Sequence, residues 1–180
     1  MISGGGFLRV RNLLRPGKWS AKSHGLRGSH MAANPDFKDL LSALNAEGVE
    51  YLIIGAHAVI AYTEPRFTKD LDILVRPTPD NVPKVYRALM KFGAPLHEIK
   101  AEDFLDLDLV YQIGIAPNRI DILTSLKGVA FDEALADSRR IDYDGVPVRI
   151  MGRDALIRAK KAVDRPQDRL DVEKLEDFKN

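Results

Sequence analysis

The sequence contains no cysteine, which excludes disulfide bonds, thiolate catalysis and cysteine-ligated zinc. Its four histidines are scattered, and no two have the four-residue spacing of a helical metal pair. No apolar run is long enough to span a membrane, so we expect a cytoplasmic protein without a membrane partner. A chain of 180 residues that is 45% hydrophobic and 29% charged is typical of one globular domain or a small two-lobed one.

Acidic residues are missing from the first thirty positions, which hold six basic side chains. Removing these from the 27 basic residues of the whole chain leaves 21 against 26 acidic ones, a net charge of −5. This acidic body disfavours a large nucleic-acid footprint. Residues 28–31 (Gly-Ser-His-Met) are similar to the scar that expression vectors leave before a native start. We therefore interpret residues 1–30 as a vector-derived or disordered basic leader without a catalytic role, in preference to a transit peptide or a flexible native arm, and residues 31–180 as the domain.

Hydrophobic periodicity from Met31 onward predicts a mixture of helices and strands. Asn34 and Pro35 have the residue types of a helix N-cap and first position, and the helix that they begin should end before Gly48. Asp144-Gly145 predicts a two-residue hairpin turn. The predicted strands are 51–54, 69–75, 109–115, 119–126, 140–143 and 146–150, and the further helices are 56–62, 82–92, 131–137, 153–163 and 166–178.

Asp70 and Asp72 share one face of the strand predicted at 69–75, because successive strand side chains point to opposite faces. Their Cα atoms would lie roughly 6–7 Å apart. At that distance two carboxylates repel by roughly 2–3 kcal/mol at an effective dielectric of about 20, and a divalent cation can offset this repulsion. Mg²⁺ prefers carboxylate and phosphate oxygens together. Acids alternate with apolar residues on many half-exposed strands, so the pair alone is weak evidence for a metal site.

Gly55 and Asp121 strengthen the prediction. Gly55 follows a predicted strand and precedes a predicted helix, fifteen residues before Asp70. A helix that opens at a glycine presents backbone N–H groups and a positive dipole end to phosphates. Asp121 lies among apolar neighbours in a later strand, where an unpaired acid is costly to bury. A third carboxylate on an adjacent strand would complete a two-metal site for in-line phosphoryl chemistry.

The stretch that begins with Gly55-Ala56 and continues with Arg-Phe-Thr-Lys-Asp-Leu-Asp-Ile at 66–73 resembles the signature of the polymerase-β-like nucleotidyltransferases. It is most similar to the small bacterial forms, which include the minimal nucleotidyltransferases and the toxins of abortive-infection systems. The resemblance covers roughly residues 35–175. It implies an α+β nucleotidyltransferase fold, with a small mixed sheet flanked by helices and further helices at the C-terminus.

The resemblance also implies roles for the residues singled out above. In that family the glycine binds phosphate, the first two aspartates hold both metal ions, and the third aspartate activates the acceptor hydroxyl. These roles fall on Gly55, Asp70, Asp72 and Asp121, with all three aspartates around Mg²⁺ or Mn²⁺.

The end of the chain is similar to the closing Lys…Arg-x-x-Asp-x-x-Asp helices of such proteins. By that similarity Lys160 reaches the phosphates of the nucleotide and Asp168 buttresses it. Lys161 is the next residue along the helix and points about 100° away. We therefore expect Lys160, and not Lys161, to face the cleft.

Ala56, Arg66 and Thr68 complete the predicted nucleotide-binding residues. The family usually has Ser or Gly where this chain has Ala56, so one side-chain contact is lost while the backbone donors remain. Arg66 either steers the triphosphate or pairs with nearby acids. Thr68 either bonds into the site or begins the strand. His57 is interpreted as a packing residue, because its helix is made mostly of small apolar residues.

The predicted reaction is the Mg-dependent transfer of a nucleoside monophosphate from an NTP such as ATP to a hydroxyl group. The acceptor is a tRNA end, a protein side chain or a small molecule, and the acidic body makes large RNA less favourable. The alternative is a catalytically weak module of the same fold that acts as a toxin–antitoxin or regulatory partner. A third hypothesis is a scaffold whose exposed helices pair with a helical antitoxin or toxin.

Overall fold

The computed structural model describes residues 9–13, 34–115 and 118–177, and it describes only the backbone of residues 9–13. These residues form one mixed sheet with helices around it, which confirms the predicted α+β class. The strands are β1 (Arg9–Leu13), β2 (Tyr51–Ile53), β3 (Asp70–Val75), β4 (Leu109–Ile115), β5 (Asn118–Leu123), β6 (Arg139–Tyr143) and β7 (Val146–Ile150). The helices are α1 (Pro35–Ala46), α2 (Gly55–Ile60), α3 (Val82–Phe92), α4 (Phe131–Ala136), α5 (Arg153–Val163) and α6 (Pro166–Asp177), with a 3-10 helix at Ala101–Leu105.

The strand order across the sheet is β1-β4-β5-β3-β2-β7-β6. The pairs β1–β4, β3–β5 and β2–β7 are parallel, and the other neighbouring pairs are antiparallel. The two antiparallel hairpins β4–β5 and β6–β7 are those that the sequence predicted. The parallel pair β3–β5 joins distant segments and places the strands with the predicted aspartates side by side.

Local signals in the sequence explain several element boundaries. The Asn34 side chain accepts a 2.9 Å hydrogen bond from the backbone N–H of Asp36, as an N-cap does. Helix α3 ends at Gly93, whose φ of 81° is left-handed. Asp144 and Gly145 both have positive φ, 51° and 85°, which is the conformation that the predicted hairpin turn requires.

The core is built from the apolar positions that periodicity identified. The α1 stripe and the apolar face of β3 are both buried, and full burial of one such side chain contributes about 1.5–3 kcal/mol. These residues are Phe37, Leu40, Leu41 and Leu44 on the helix and Leu71, Ile73 and Val75 on the strand. Within the described ranges, no helix is both long and apolar enough to cross a membrane.

Strand β1 lies inside the segment that we interpreted as a leader, where no periodic pattern predicts an element. It pairs in parallel with β4 at the sheet edge, with Arg9 opposite Leu109 and Leu13 opposite Ile113. Main-chain hydrogen bonds join an edge strand to its neighbour and require no alternating side-chain pattern. The remainder of the predicted leader lies outside the described residues.

Strand β5 is shorter than predicted, because it ends at Leu123 and not at Leu126. The hydroxyl of Thr124 donates a 2.6 Å hydrogen bond to the carbonyl of Asp106, in the segment before β4. The Ser125 hydroxyl likewise donates a hydrogen bond to the carbonyl of Leu107 in that segment. These side-chain hydrogen bonds hold the chain after Leu123 in a local turn instead of a longer ladder.

Candidate active site

The three predicted acids lie on one face of the sheet. The register of β3 and β5 puts Asp72 directly opposite Asp121, and Asp70 directly opposite Arg119. Directly paired residues project to the same face, and residues two apart on a strand share that face. The four side chains therefore start from the corners of a rectangle of roughly 5 by 7 Å. The parallel pairing, and not the strand alternation alone, brings Asp121 to the other two acids.

The turn at Gly55 lies directly against Asp72. The backbone N–H of Ile54 donates a 3.0 Å hydrogen bond to the carbonyl of Asp72. Gly55 has a left-handed φ of 62°, and a Cβ built on it would lie 1.9 Å from Oδ2 of Asp72. Glycine is thus required here both for its φ and for space. Helix α2 begins at this glycine, one residue before its predicted start, and Ala56 is half-buried at its second position.

Replacing Gly55 by alanine is expected to lower the free energy of unfolding by about 2–4 kcal/mol, because a left-handed φ and a steric clash act together. Gly48→Ala is the matched control, since Gly48 has a φ of 63° but no atom within 4 Å of a built Cβ. It should lose only about 1 kcal/mol. Urea denaturation of both variants gives the comparison. Equal losses would show that Asp72 leaves room for a Cβ at Gly55.

Negative charge on this face is poorly compensated. Burial, together with the charges of Asp121 and Asp70, raises the pKa of Asp72 to about 7. Burial also raises the pKa of Asp121, although Arg119 and a hydrogen bond from Gln112 oppose that rise. Near neutral pH the Asp72 carboxyl is therefore divided between its charged and neutral forms. A bound cation would favour the charged form.

Arg119 is a site residue that the sequence reasoning missed. Its Nη2 lies 3.1 Å from Oδ2 of Asp70, and its Nε lies 2.9 Å from Oδ1 of Asp121. The second contact is out of line for a hydrogen bond. Nε of Arg119 and Oδ1 of Asp121 are both buried, and neither has a hydrogen-bond partner in the described part of the chain. The two-residue period could have identified Arg119, because it precedes Asp121 by two positions on the same strand.

A buried group of opposite charges surrounds Lys160. Its Nζ lies 3.1 Å from Oδ1 of Asp168 and 2.7 Å from Oδ2 of Asp171. These two carboxylates come from α6 and are almost fully buried. Arg66 in the loop before β3 places Nη2 2.9 Å from Oδ1 of Asp171. Asp171 thus joins the predicted residues Arg66 and Lys160, and Lys160 in turn contacts the predicted Asp168. Asp171 is the last residue of the closing Arg-x-x-Asp-x-x-Asp motif, but the sequence reasoning gave it no role.

The charges of this group act on Asp72. Lys160 and Arg119 both oppose the rise in the pKa of Asp72. The pKa of Arg165 is raised chiefly by its hydrogen bond to Asp168 and further by the charge of Asp72. Burial alone would raise the pKa of Asp168, but hydrogen bonds from Arg165 and Lys160 outweigh burial and lower it. Lys160 on α5 and Arg165, which lies between α5 and α6, are therefore coupled to the charge of Asp72, as Arg119 is.

Thr68 and His57 are close in sequence to the residues of the site, but neither is in the two charged groups described above. Thr68 is half-buried in the loop before β3, which begins two residues later at Asp70. The ring of His57 is edge-on to Phe37 and to Tyr143, with centroids 5.9 Å and 5.6 Å away. Burial lowers the pKa of His57 to about 4. His57 is therefore neutral at physiological pH and packs against aromatic rings.

The three carboxylates provide the ligand atoms that a hard divalent cation prefers. Oδ1 of Asp70 and Oδ1 of Asp121 are buried and lack hydrogen-bond partners among the described residues, so both can accept a cation. In their present positions, however, no three His, Asp or Glu side chains of the described ranges are grouped to hold one metal ion. The guanidinium of Arg119 contacts two of the three acids. The residues fit Mg²⁺ or Mn²⁺ chemically, provided that the side chains rearrange.

A family comparison identifies the class of protein. A family model described as "Nucleotidyl transferase of unknown function (DUF2204)" matches residues 33–179. The chain belongs to this nucleotidyltransferase family. The membership predicted from 55–73 is thereby confirmed. So is the prediction of an enzyme, whose general reaction is the transfer of a nucleoside monophosphate. No curated protein sequence matches this nucleotidyltransferase.

Two solved structures share the fold of this chain. The lincosamide antibiotic adenylyltransferase LnuA, in its lincomycin-bound form, is 15% identical with a TM-score of 0.53, and the match covers 81% of this chain and 98% of LnuA. ANT(2")-Ia in complex with adenylyl-2"-tobramycin is 18% identical with a TM-score of 0.51, and the match covers 77% and 84% of the two chains. At these identities the similarity shows that the nucleotidyltransferase shares their fold.

Proposed function

We propose that this nucleotidyltransferase transfers a nucleoside monophosphate from an NTP to a hydroxyl group with the help of Mg²⁺ or Mn²⁺. The observation that carries the proposal is the pairing of Asp72 with Asp121, with Gly55 packed against Asp72. Asp70, Asp72 and Asp121 hold the metal, which when bound neutralises the triphosphate and the departing pyrophosphate. Since NTPs are plentiful in the cytoplasm, we place the enzyme there.

Residues of the site also position the acceptor hydroxyl and bind the phosphates. Asp121 accepts a hydrogen bond from the acceptor hydroxyl, orients its oxygen toward the α-phosphorus and takes up the hydroxyl proton as the new bond forms. That oxygen forms the new P–O bond as the bond between the α-phosphorus and the bridging oxygen breaks, and pyrophosphate leaves. The N–H groups of Gly55 and Ala56 face the phosphates. Lys160 and Arg66 supply positive charge, and Asp168 and Asp171 hold Lys160 in place.

We propose that the acceptor is a small molecule or a protein side chain, in preference to a tRNA. The net charge of −5 in residues 31–180 disfavours a large RNA surface. LnuA and ANT(2")-Ia, which share the fold, are described with lincomycin and with adenylylated tobramycin. Both observations favour a compact acceptor with a free hydroxyl group.

Incubation with each of the four α-labelled NTPs and an acceptor panel of small molecules, proteins and tRNA tests the proposal. We expect Mg²⁺- or Mn²⁺-dependent label transfer with pyrophosphate release, and a loss of at least about 100-fold in Asp72→Asn. Asp39→Asn is the control, because Asp39 is an exposed carboxylate on α1. Transfer at equal rates by the wild type and Asp72→Asn would contradict the proposed site.

A second candidate function is a binding module with weak catalysis that regulates, or is regulated by, a helical toxin or antitoxin partner. Ala56 favours it, because the family usually has Ser or Gly at this position. An alanine lacks the hydroxyl group that a serine would present to the phosphates. The Ala56→Ser variant separates the two functions. A restored hydroxyl should raise label transfer if the site is an enzyme with a weakened phosphate contact. It should leave the transfer undetectable if the chain is only a binding module.

A further inference from the structure

We propose that Arg119 is the internal counterion of the metal-free site, and that a divalent cation must displace its guanidinium from Asp70 and Asp121. The inference rests on the proposed function, since it concerns the same three carboxylates. It assigns to Arg119 a role in setting metal affinity, which neither the sequence motif nor the family match provides.

The position of Arg119 supports this role. Arg119 is the cross-strand neighbour of Asp70 and lies two residues before Asp121, so it occupies the fourth corner of the acidic group. Its Nη2 is 3.1 Å from Oδ2 of Asp70, and its Nε is 2.9 Å from Oδ1 of Asp121. One guanidinium therefore contacts acids on two strands. A metal ion held by the unpaired Oδ1 atoms of Asp70 and Asp121 would take the Asp121 oxygen that Arg119 now contacts.

The contacts of Arg119 leave three buried atoms of this group without a hydrogen bond. Only the contact to Asp70 is a hydrogen bond. Nε of Arg119, Oδ1 of Asp121 and Oδ1 of Asp70 are all buried without hydrogen-bond partners among the described residues. Buried polar atoms of this kind are energetically unfavourable. A cation that binds the freed carboxylate oxygens removes that unfavourable state for two of the three atoms.

Arg119 can leave the acids, whereas Lys160 is fixed. The side chain of Arg119 is 34% exposed, so its charged end can move into solvent without crossing the core. The side chain of Lys160 is 10% exposed and lies between two carboxylates that are 3% and 1% exposed. Moving Lys160 away from those partners would break ion pairs with two buried carboxylates. Among these two cations, Arg119 is therefore the one that a metal ion displaces.

Displacement has a measurable consequence for metal affinity. A cation that must first break the contacts of Arg119 binds more weakly than one that meets free carboxylates. Breaking the two contacts of Arg119 should cost the cation roughly tenfold in affinity, which corresponds to about 1.4 kcal/mol. Arg119→Gln should therefore bind Mn²⁺ about tenfold more tightly than the wild type. A residue with a purely structural role would weaken metal binding, or leave it unchanged, when replaced.

The experiment measures the Kd for Mn²⁺ alone, from the electron paramagnetic resonance signal of free Mn²⁺, in the folded full-length protein. Arg119→Lys keeps the charge but cannot contact both acids as a guanidinium does, so its Kd should fall between those of the wild type and Arg119→Gln. Arg76→Gln is the matched control. Arg76 also bridges two acids, with contacts of 2.6 Å to Glu50 and 2.5 Å to Asp132. It should leave the Kd unchanged.

An Arg119→Gln Kd equal to or weaker than that of the wild type overturns the inference. Circular dichroism checks the fold. If Arg119→Gln is unfolded, an Arg119→Lys affinity no tighter than that of the wild type also overturns it. If the wild type binds Mn²⁺, Asp72→Asn does not, and Arg119→Gln is no tighter, then this inference fails and the proposed function stands. If neither the wild type nor the Arg119 variants bind Mn²⁺, the proposed metal site fails and this inference with it.

Discussion

Asp72→Asn is expected to stabilise the metal-free protein at pH 8 by on the order of 2–4 kcal/mol. Burial and the charges of Asp121 and Asp70 raise the pKa of Asp72 to about 7, against an ordinary value of 3.8. Above pH 7 the folded protein must therefore hold a charged carboxylate in unfavourable surroundings. Asparagine has no charge and removes both the burial and the repulsion penalties. The result would be a variant that is more stable and yet unable to bind metal.

The sign of the pH dependence follows from the raised pKa. Between pH 3.8 and about 7 the folded state binds the Asp72 proton more tightly than the unfolded state does. Wild-type stability therefore decreases through this window as pH rises. The advantage of Asp72→Asn should be largest at pH 8 and small near pH 4. Urea denaturation in EDTA at several pH values measures it, with the exposed Asp39→Asn as control.

His57 changes the pH dependence of stability in the direction opposite to that of Asp72. Burial lowers its pKa from 6.5 to about 4, so the unfolded state binds the His57 proton more tightly. Its contribution to stability is complete above pH 6.5 and is lost as pH falls toward 4. In the wild type the slopes of Asp72 and His57 partly cancel. Asp72→Asn removes the Asp72 slope and keeps that of His57, so from pH 4.5 to 6.5 its stability should rise relative to that of the wild type. An advantage over the wild type that is independent of pH would contradict the raised pKa of Asp72.

Metal and nucleotide should reverse the order of stability. Bound Mn²⁺ favours the charged form of Asp72, so the wild type should gain thermal stability when Mn²⁺ and a non-hydrolysable NTP are added. Asp72→Asn lacks one metal ligand and should gain little. Equal shifts in the melting temperature of both proteins would mean that Asp72 is not a ligand.

Lys160→Ala is expected to lower the free energy of unfolding by about 3 kcal/mol, because it leaves two buried carboxylates without their shared partner. Lys160 contacts Asp168 at 3.1 Å and Asp171 at 2.7 Å, and both acids are almost fully buried. Arg165 and Arg66 still pair with these acids in the variant. The loss should therefore lie at the low end of the 3–5 kcal/mol that breaking a buried ion pair produces.

Lys161→Ala is the matched control from the next position of α5. Lys161 forms a 2.7 Å ion pair with Glu176, and both side chains are more than half exposed. Exposed pairs contribute about 0–1 kcal/mol. NTP affinity provides the second readout. It should weaken in Lys160→Met, which keeps most of the side-chain volume without the charge, and should not change in Lys161→Ala. Equal losses from the two lysines would remove Lys160 from the site.

The sequence alone determined the features that depend on neighbouring residues. The two-residue period put Asp70 and Asp72 on one strand face, and the Asn34 cap and the Asp144-Gly145 turn marked element boundaries. The motif at 55–73 identified the nucleotidyltransferase family, which the family model confirmed. Such signals are local, because periodicity, capping and turn chemistry act within a few residues.

Only the tertiary structure decided how distant segments meet. The parallel register of β3 and β5 pairs Asp72 with Asp121 and puts Arg119 beside Asp70, and no local pattern specifies that register. Likewise, the meeting of Arg66 with Asp171 depends on how α6 packs against the loop before β3. Strand β1 pairs with β4 through its backbone, and no side-chain pattern in the sequence predicts that strand. Strand register and helix packing are selected by burial of the whole core, so the partners of a charged residue follow from the complete fold.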